Sequence, residues 1–490
     1  MSHHSRRPNW FAEAALGALV LALLLGFRDL PLVDLPQHAW QLASWLRIDA
    51  GDPSVHDLEL HFRTPYLLAY PVARLLAEVT TVVTALKLTF ALSICLQAVT
   101  LRRLCRQLGH SPWLGLLGFP LGMGYSFCFG FVAFCAALPL VYLAFGYAAA
   151  HRTQPTLKSG AALALTLALS LVAHGVALGF LLATLSPVLL LGGGRLWQRA
   201  VPLLAPPLLA LVWLVPGGSS TRLGGDLWQW EPERLLELPA QLVGIGSADR
   251  ISTLLGVTLI VALASQLGRP RSSLLVTPLA LALLGYCFFP TMFRGAGPLG
   301  PRFGSLLVPA ALLAFEPRAE PTRVVRAGRW LVLAVSVAVP LVFGARLGGF
   351  NRELDDFRRV MERVPAGRSL RPIVFERTAR AFPGIPSMLH VPAYYAVEKG
   401  GDAGYSFAMY SISVVRFRPG VHVKMGGGSE WAPEWFDATR EADDYDYFMV
   451  KSDADRGNRL FPGSPPRAIL DSHVGDWWGY RRLNGGRQLD

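Results

Sequence analysis

The sequence is short of charge and of cysteine, and each shortage excludes a class of protein. Charged residues make up 16% of the 490 residues, whereas a soluble domain carries about a quarter. Five cysteines are present and none follows Cys287, which excludes a disulfide framework in the C-terminal part. The sequence contains no Cys-x-x-Cys pair, zinc-ligand spacing, Walker loop or nucleophile elbow. No standard metal, nucleotide or hydrolase motif therefore points to a function.

Long apolar runs dominate the first 350 residues and indicate a membrane protein. Hydrophobic residues account for 52% of the chain, and a helix needs about 20 apolar residues to cross a bilayer. No small-residue cleavage site follows the first run, so we expect a retained span rather than a signal peptide. We predict a polytopic α-helical membrane protein with about eleven transmembrane helices, near residues 10–27, 82–101, 113–127, 129–150, 159–174, 176–192, 200–216, 251–267, 273–290, 304–317 and 330–347.

The basic residues orient these spans. Much of the net charge of +12 comes from arginines in short loops between apolar runs, as the positive-inside bias produces, so the charge does not indicate nucleic-acid binding. With the N-terminus inside, the predicted cytoplasmic loops hold Arg102, Arg103, Arg106, Arg152, Lys158, Arg195, Arg199, Arg269, Arg271, Arg318, Arg323, Arg326 and Arg329. The run Pro65 to Val79 is apolar but short, and Arg74 and Glu78 interrupt it. We predict an interfacial or re-entrant helix there.

This orientation places residues 28–81 and the tail after Phe350 on the outer side. The tail opens with a helical pattern over 351–364, followed by strand-like runs at 372–375, 406–415, 445–450 and 467–470. We therefore predict two domains, a transmembrane domain over 1–350 and a small extracytoplasmic α/β domain over 351–490. No internal repeat is visible, which argues against the inverted-repeat transporters.

A candidate catalytic group stands just beyond the first span, at Asp34. Pro36 suits the first turn of a helix, so residues 36–47 should form a short helix with Asp34 before it and His38 in its first turns. We expect Trp40 and Trp45 to anchor this helix at the membrane interface. The Asp34 carboxylate could act as a general base, hold a divalent metal beside a leaving phosphate, or merely cap the helix.

Basic groups in outer segments are candidates for binding a phosphate. Arg294 and Arg302 lie in a Gly/Pro-rich outer loop against the positive-inside bias, and arginine binds phosphate with a bidentate fork. The alternatives are headgroup contact or a salt bridge to the acidic loop. His174, in a turn between two spans, is either a substrate-binding group or an interfacial hydrogen-bonding residue. Arg63 in the first outer loop is a further candidate, whereas we expect Lys87 to snorkel.

Other polar residues belong to no recognisable motif. The aromatic residues of the 217–250 loop, among them Trp228 and Trp230, suit either the membrane surface or sugar stacking. We expect most of the conspicuous tail residues to be structural: His390, Tyr394, Tyr395, Asp443 and Asp444.

The order of these features resembles the GT-C type integral-membrane glycosyltransferases, the polyprenyl-phosphate-sugar-dependent enzymes of bacterial envelopes. Asp34 follows the first span, Phe62–Tyr70 resembles the Pro-aromatic entry to their second loop helix, and Thr84–Arg103 is similar to their second span. The resemblance implies that Asp34 is the catalytic carboxylate of the first loop. Leu35 stands where many members have a second adjacent acid, so no metal ligands are assigned. A divalent metal stays an open alternative, with Asp29, Asp49 or Asp57 as the second carboxylate.

The resemblance implies an enzyme of the bacterial cytoplasmic membrane that moves a sugar from a polyprenyl-phosphate carrier to an acceptor at the outer face. Asp34 would be the base, with His38 and His174 shaping the site and Arg294 and Arg302 holding the phosphate. A transporter or flippase of an envelope lipid is the alternative, and a non-catalytic assembly protein is a third. The polar candidates collect at one face rather than at the mid-membrane depth that alternating access requires, which argues against transport.

Overall fold

A computed structural model describes residues 10–191, 195–214, 234–244, 249–292, 297–318 and 322–483. The chain divides into two compact units. The first comprises Met1–Gly26, Phe62–Thr80 and Lys87–Gly344, and the second comprises Phe27–His61, Thr81–Leu86 and Ala345–Asp490. The segment after the first predicted span thus belongs with the C-terminal tail, although the sequence alone assigned it to the transmembrane domain.

The described residues are mainly helical. The α-helices are α1 (Trp10–Gly26), α2 (Leu35–Asp49), α3 (Ala69–Leu76), α4 (Val82–Gln107), α5 (Gly118–Gly122), α6 (Tyr125–Cys128), α7 (Val132–Thr153), α8 (Leu157–Ala173), α9 (Gly175–Leu190), α10 (Leu196–Ala200), α11 (Ala205–Trp213), α12 (Arg234–Val243), α13 (Arg250–Gln266), α14 (Ser273–Phe288), α15 (Gly304–Ala314), α16 (Arg323–Arg363), α17 (Ala393–Lys399), α18 (Ala438–Glu441) and α19 (Gly457–Leu460). The 3₁₀ helices are Pro53–Val55, Pro112–Leu117, Val201–Leu204, Gly300–Phe303, Phe407–Met409, Ser429–Trp431, Pro433–Trp435 and Ala442–Asp444.

Four helical segments of the described residues are long and apolar enough to cross a membrane: Val82–Gln107, Val132–Thr153, Leu196–Trp213 and Arg323–Arg363. Six shorter apolar helices accompany them: Trp10–Gly26, Leu157–Ala173, Gly175–Leu190, Arg250–Gln266, Ser273–Phe288 and Gly300–Ala314. Each of these ten coincides with one of the predicted spans. The membrane-spanning character and the orientation of each helix stay predictions.

The predicted span at 113–127 is wrong as a continuous helix. A 3₁₀ helix, α5 and α6 divide this stretch between them. A Cβ at Gly118 would lie 2.4 Å from the Cα of Ala98, and one at Gly115 would lie 2.5 Å from the Cβ of Arg102. The backbone thus packs directly on α4, and this close approach requires glycine. Tertiary packing, rather than apolar content, decides the local structure here.

Helix α16 joins two elements that the sequence separated. It runs without interruption through the predicted span at 330–347 and the predicted tail helix at 351–364. Its buried residues in the second unit recur at helical spacing: Leu347, Phe350, Leu354, Phe357, Val360 and Met361. The apolar face continues across residue 350, so the helix has no reason to end there.

The second unit contains a four-stranded sheet in the order β4-β6-β8-β7, in which β4 and β6 are parallel and the other neighbours antiparallel. The strands of the described residues are β1 (Leu58–Leu60), β2 (Leu267–Pro270), β3 (Phe315–Pro317), β4 (Leu370–Val374), β5 (Val415–Phe417), β6 (Tyr447–Lys451), β7 (Ala468–Val474) and β8 (Trp477–Arg482). The strands predicted at 372–375, 445–450 and 467–470 are confirmed. The strand predicted at 406–415 is wrong, because a 3₁₀ helix and turns precede β5.

Strand pairing explains why the segment after the first span belongs to the second unit. β1 pairs antiparallel with β5, with Glu59 opposite Arg416. The Nε of Arg416 donates to Oε1 of Glu59 at 2.7 Å. Contacts of this kind join residues more than 350 positions apart, which no local sequence pattern reveals.

Candidate functional site

The helix predicted after Asp34 is present as α2, with Pro36 in its first turn. Asp34 occupies the residue before the helix, and its carbonyl oxygen accepts a hydrogen bond from the backbone N–H of His38 at 2.9 Å. Its side chain accepts no capping hydrogen bond. The carboxylate is 13% exposed, so it is nearly buried without being used to cap the helix.

The C-terminal end of α2 is held against α17. Both terminal nitrogens of Arg47 donate to carbonyl oxygens near the end of α17, those of Ala396 at 2.9 Å and Val397 at 3.0 Å. The positive charge of Arg47, in the last turn of α2, also interacts favourably with the negative end of that helix's dipole. At the N-terminal ends of these two helices, Asp34 immediately precedes α2 and His390 lies shortly before α17. The two helices therefore run side by side in the same direction and bring these two side chains together.

The imidazole of His390 lies beside the carboxylate of Asp34. Its Nδ1 lies 3.2 Å from Oδ1 of Asp34, an ion-pair distance whose direction falls outside hydrogen-bond geometry. The imidazole is 5% exposed. It stacks on the ring of Tyr405, with centroids 5.4 Å apart, and meets the edge of Phe407 at 5.5 Å. The ring of His390 is thus packed on two sides beside the carboxylate.

Gln37 fixes the segment that supports this histidine. Its Nε2 donates to the carbonyl of Tyr405 and its Oε1 accepts from the backbone N–H of Phe407, both at 3.2 Å. His38 is half-buried and meets the edge of Phe407 at 5.7 Å. His38 therefore borders the site through Phe407, and its predicted role in shaping the site stays a prediction. Trp40 is 8% exposed, so it packs inside the protein, and the same holds for Trp45 at 9%; their expected role as interface anchors is wrong.

A small cavity adjoins His390. Its polar lining comes from Gln37, His390, Tyr405 and Glu430, and its volume is about 10 Å³, close to what one water molecule needs. Burial raises the pKa of Glu430, while charge on His390 and a hydrogen bond from Tyr405 act in the opposite direction. Burial and the nearby Glu430 carboxylate raise the pKa of Tyr405 well above its usual value. The cavity volume suits a single bound water molecule.

The three carboxylates considered as partners for Asp34 have other contacts. Asp29 makes a buried ion pair with Arg358, and Asp57 lies exposed beside His56. Asp49 is exposed at the end of α2. Among the residues that the structure describes, no group of three His, Cys, Asp or Glu side chains is placed to hold a metal ion. The divalent metal therefore stays an untested alternative.

A second polar site lies in the first unit, where His174 and Arg302 come together. His174 is fully buried and Arg302 is 5% exposed. Nη1 of Arg302 lies 3.0 Å from Nε2 of His174. The Arg302 guanidinium also donates to the carbonyls of Pro298 and Gly297 and lies 3.8 Å above the ring of Phe131. The sequence named both residues as substrate-binding candidates, and the fold brings them into contact.

The hydrogen bonds of His174 make this contact unusual. The backbone N–H of Val176 lies 3.2 Å from Nδ1 and a guanidinium nitrogen of Arg302 lies 3.0 Å from Nε2, so both ring nitrogens face a donor. Arg302 has only donors. A neutral imidazole has one acceptor nitrogen, so His174 can accept only one of these two hydrogen bonds. In the tautomer that carries its proton on Nε2, the ring and the Arg302 guanidinium would be two donors, complementary to a shared acceptor such as the oxygen of an anion.

The remaining candidates are dispersed. Arg294, with Trp228 and Trp230, lies outside the described residues. Arg63 is exposed between β1 and α3. Lys87 is 4% exposed within α4, so the expectation that it snorkels is wrong. Sequence reasoning missed His390 beside Asp34, and also Tyr405 and Glu430, which line the adjoining cavity. These residues belong to no motif and are 356 or more positions further along the chain than Asp34.

No family model and no curated protein sequence matches the chain. Its fold is similar to that of ArnT from Cupriavidus metallidurans bound to undecaprenyl phosphate, with a TM-score of 0.53 and 11% identity, covering 98% of this chain and 100% of that one. It is also similar to the mycobacterial arabinofuranosyltransferase AftD, with a TM-score of 0.51 and 16% identity, covering 99% of this chain and 40% of that one. Both are GT-C enzymes. The chain therefore has the GT-C fold that its sequence resemblance implied.

Proposed function

We propose that this chain is a membrane glycosyltransferase that moves a sugar from a polyprenyl-phosphate carrier to an acceptor hydroxyl at the outer face of the cytoplasmic membrane. The likeness of fold to two GT-C enzymes extends over almost the whole chain. One of the two was solved with undecaprenyl phosphate bound, which supports a polyprenyl-phosphate carrier here.

The single observation that carries a catalytic role is the burial of the Asp34 side chain and its position beside His390. A nearly buried carboxylate that caps no backbone N–H and faces a histidine is poorly explained by stability alone. As general base, Asp34 would take the proton of the acceptor hydroxyl as the acceptor oxygen bonds to the anomeric carbon. The bond between that carbon and the phosphate oxygen breaks, and the carrier leaves as polyprenyl phosphate.

The donors of Arg302 and His174 would bind an oxygen of the carrier phosphate. Charge-assisted hydrogen bonds to phosphate are stronger than neutral ones, and the Arg302 guanidinium and the His174 ring already lie 3.0 Å apart in the first unit. This assignment is independent of the role of Asp34, and each can be tested without the other.

The test of the catalytic role is Asp34→Asn in the purified full chain. Transfer would be measured from radiolabelled undecaprenyl-phosphate hexose and pentose donors to a lipid or glycan acceptor. Loss of a general base should lower the transfer rate roughly 10²–10⁴-fold, with binding of undecaprenyl phosphate unchanged. The matched control is Asp57→Asn, an exposed carboxylate of the same unit, which should transfer at the wild-type rate.

The same assay separates the alternatives. A flippase would move undecaprenyl-phosphate sugar across the membrane of proteoliposomes without consuming it. The rate of that movement would then be compared between Asp34→Asn and wild type. An assembly protein would neither consume nor move the donor. Wild-type transfer by Asp34→Asn would exclude Asp34 as the base, and absence of transfer by the wild-type chain with every donor and acceptor tried would count against the enzyme itself.

A further inference from the structure

The second ring nitrogen of His390 is buried beside a second buried acid. Nε2 of His390 and Oε2 of Glu430 have no hydrogen-bond partner among the described residues. His390 is 5% exposed and Glu430 is 8% exposed. Both side chains line the same cavity of about 10 Å³. Buried polar atoms are almost always hydrogen-bonded to protein or to an ordered water, so these two atoms require a common explanation.

We infer that a water molecule in this cavity links Nε2 of His390 to Oε2 of Glu430, so that Asp34, His390 and Glu430 form one buried relay. The cavity volume is about that of one bound water, and its lining supplies the polar partners that such a water needs. Glu430 is then a positioning residue, which acts on Asp34 through His390. This inference rests on the proposed function for its catalytic meaning, but not for its physical content.

The relay explains how His390 is oriented. Nδ1 approaches Oδ1 of Asp34 without good hydrogen-bond alignment, so the Asp34 contact alone does not set the rotation of the ring. Stacking on Tyr405 fixes the ring plane. The same plane allows two ring orientations that differ by a flip about the Cβ–Cγ bond, and a hydrogen bond from Nε2 through water to Glu430 would select one of them. Asp34 then meets a fixed partner rather than a mobile one.

The relay also links the protonation of its members. The titratable groups around it are Asp34, His390, Glu430, Tyr405 and Tyr410, and burial raises the pKa values of both tyrosines. A carboxylate on Glu430 stabilises the charged imidazole of His390, and a charged His390 favours the ionised form of Asp34. Removing the Glu430 charge should therefore lower the pKa of His390 and raise that of Asp34.

The experiment compares the full-length wild type with Glu430→Gln, using [13Cε1]-histidine NMR in detergent micelles. The His390 signal would be assigned by its loss in His390→Gln. The relay predicts that Glu430→Gln lowers the pKa of His390 by about one unit. The control is Glu434→Gln, which removes an exposed carboxylate four residues away and should leave that pKa unchanged.

A second variant separates the water from the charge. Ala403 lines the cavity and is 6% exposed. Ala403→Val adds two methyl groups there without changing any charge, so it should displace the water and shift the pKa of His390 downwards as well. This variant also keeps the test usable if Glu430→Gln does not fold. If the pKa of His390 is unchanged in a folded Glu430→Gln or Ala403→Val variant, the relay is overturned, whether or not the wild-type chain transfers sugar.

A catalytic readout completes the test where transfer is measurable. The acid limb of the pH–rate profile should move about one unit higher in Glu430→Gln, because Asp34 then ionises at higher pH. Rates at alkaline pH should recover most of the wild-type value. An NMR shift without a change in the pH–rate profile would support the relay and remove its link to the proposed base.

Discussion

The guanidinium of Arg358 clamps the carboxylate of Asp29, which lies 329 positions earlier in the chain. Nη2 donates to Oδ1 at 2.7 Å and Nε donates to Oδ2 at 3.2 Å. Nη1 donates to Glu398 at 2.6 Å. The side chains of Arg358 and Asp29 are 8% and 3% exposed. This bidentate pair joins the segment after the first predicted span to α16 and lies in the same unit as Asp34.

Asp29→Asn should destabilise the second unit. Removing one member of a buried ion pair leaves the other charge without its partner, which costs about 3–5 kcal/mol; Glu398, which stays bonded to Arg358, should keep the loss near the lower end. Thermal unfolding in detergent would show this as a lower midpoint. Asp57→Asn should change the free energy of unfolding by less than about 0.5 kcal/mol. Equal midpoints for Asp29→Asn and wild type would show that the clamp does not stabilise the unit.

Substitutions of Arg302 test whether this residue binds the carrier phosphate. Arg302→Ala should weaken binding of undecaprenyl phosphate about ten- to a hundred-fold, because a charge-assisted hydrogen bond is worth about 1.5–3 kcal/mol. Arg302→Lys keeps the charge but loses the planar fork, so its loss should be smaller. Isothermal or fluorescence titration with undecaprenyl phosphate would measure both.

Undecaprenol, which lacks the phosphate, is the control ligand for these titrations. Its binding should be equal in wild type, Arg302→Lys and Arg302→Ala, and Arg195→Ala, an exposed arginine, should bind both lipids as wild type does. Arg302 also holds the carbonyls of Gly297 and Pro298. Equal losses for both lipids would assign it to that loop rather than to phosphate.

The predicted orientation can be tested by labelling single cysteines. Ser54→Cys and Arg440→Cys should react with an impermeant maleimide from outside, and Thr156→Cys should react only after the membrane is opened. All three positions are exposed. The half-buried native Cys95 and Cys287 should first be replaced by alanine. Labelling of Thr156→Cys from outside would reverse the whole orientation.

Lys451 should make stability depend on pH. The side chain is 3% exposed on β6, with Nζ 3.7 Å from Asp476. Burial lowers the pKa of Lys451, and the Asp476 carboxylate opposes that shift. Between this lowered pKa and the unfolded value of 10.5, the unfolded chain binds more protons, so stability should rise with pH across that window. Lys451→Met should flatten the rise in thermal midpoint, whereas Lys158→Met, at an exposed site, should keep it.

Local sequence patterns predicted much of the helical architecture. Apolar runs placed ten of the eleven predicted spans on helices, because burial or lipid contact requires continuous apolar sequence. The helix after Asp34 followed from Pro36 and the polar spacing around it. The prediction of a continuous helix over 113–127 was wrong because the glycines of this stretch allow close packing on α4. Such packing depends on residues elsewhere in the chain.

The candidate site shows the same division between local pattern and long-range contact. The sequence alone determined that Asp34 follows an apolar helix and precedes an amphipathic one, since both facts depend on neighbouring residues. It also named His174 and Arg302 separately. Only the tertiary structure decided that His390 lies beside Asp34, that Asp29 is paired with Arg358, and that His174 faces Arg302. These pairs join residues from 128 to several hundred positions apart, and chain folding, not local propensity, determines which side chains meet.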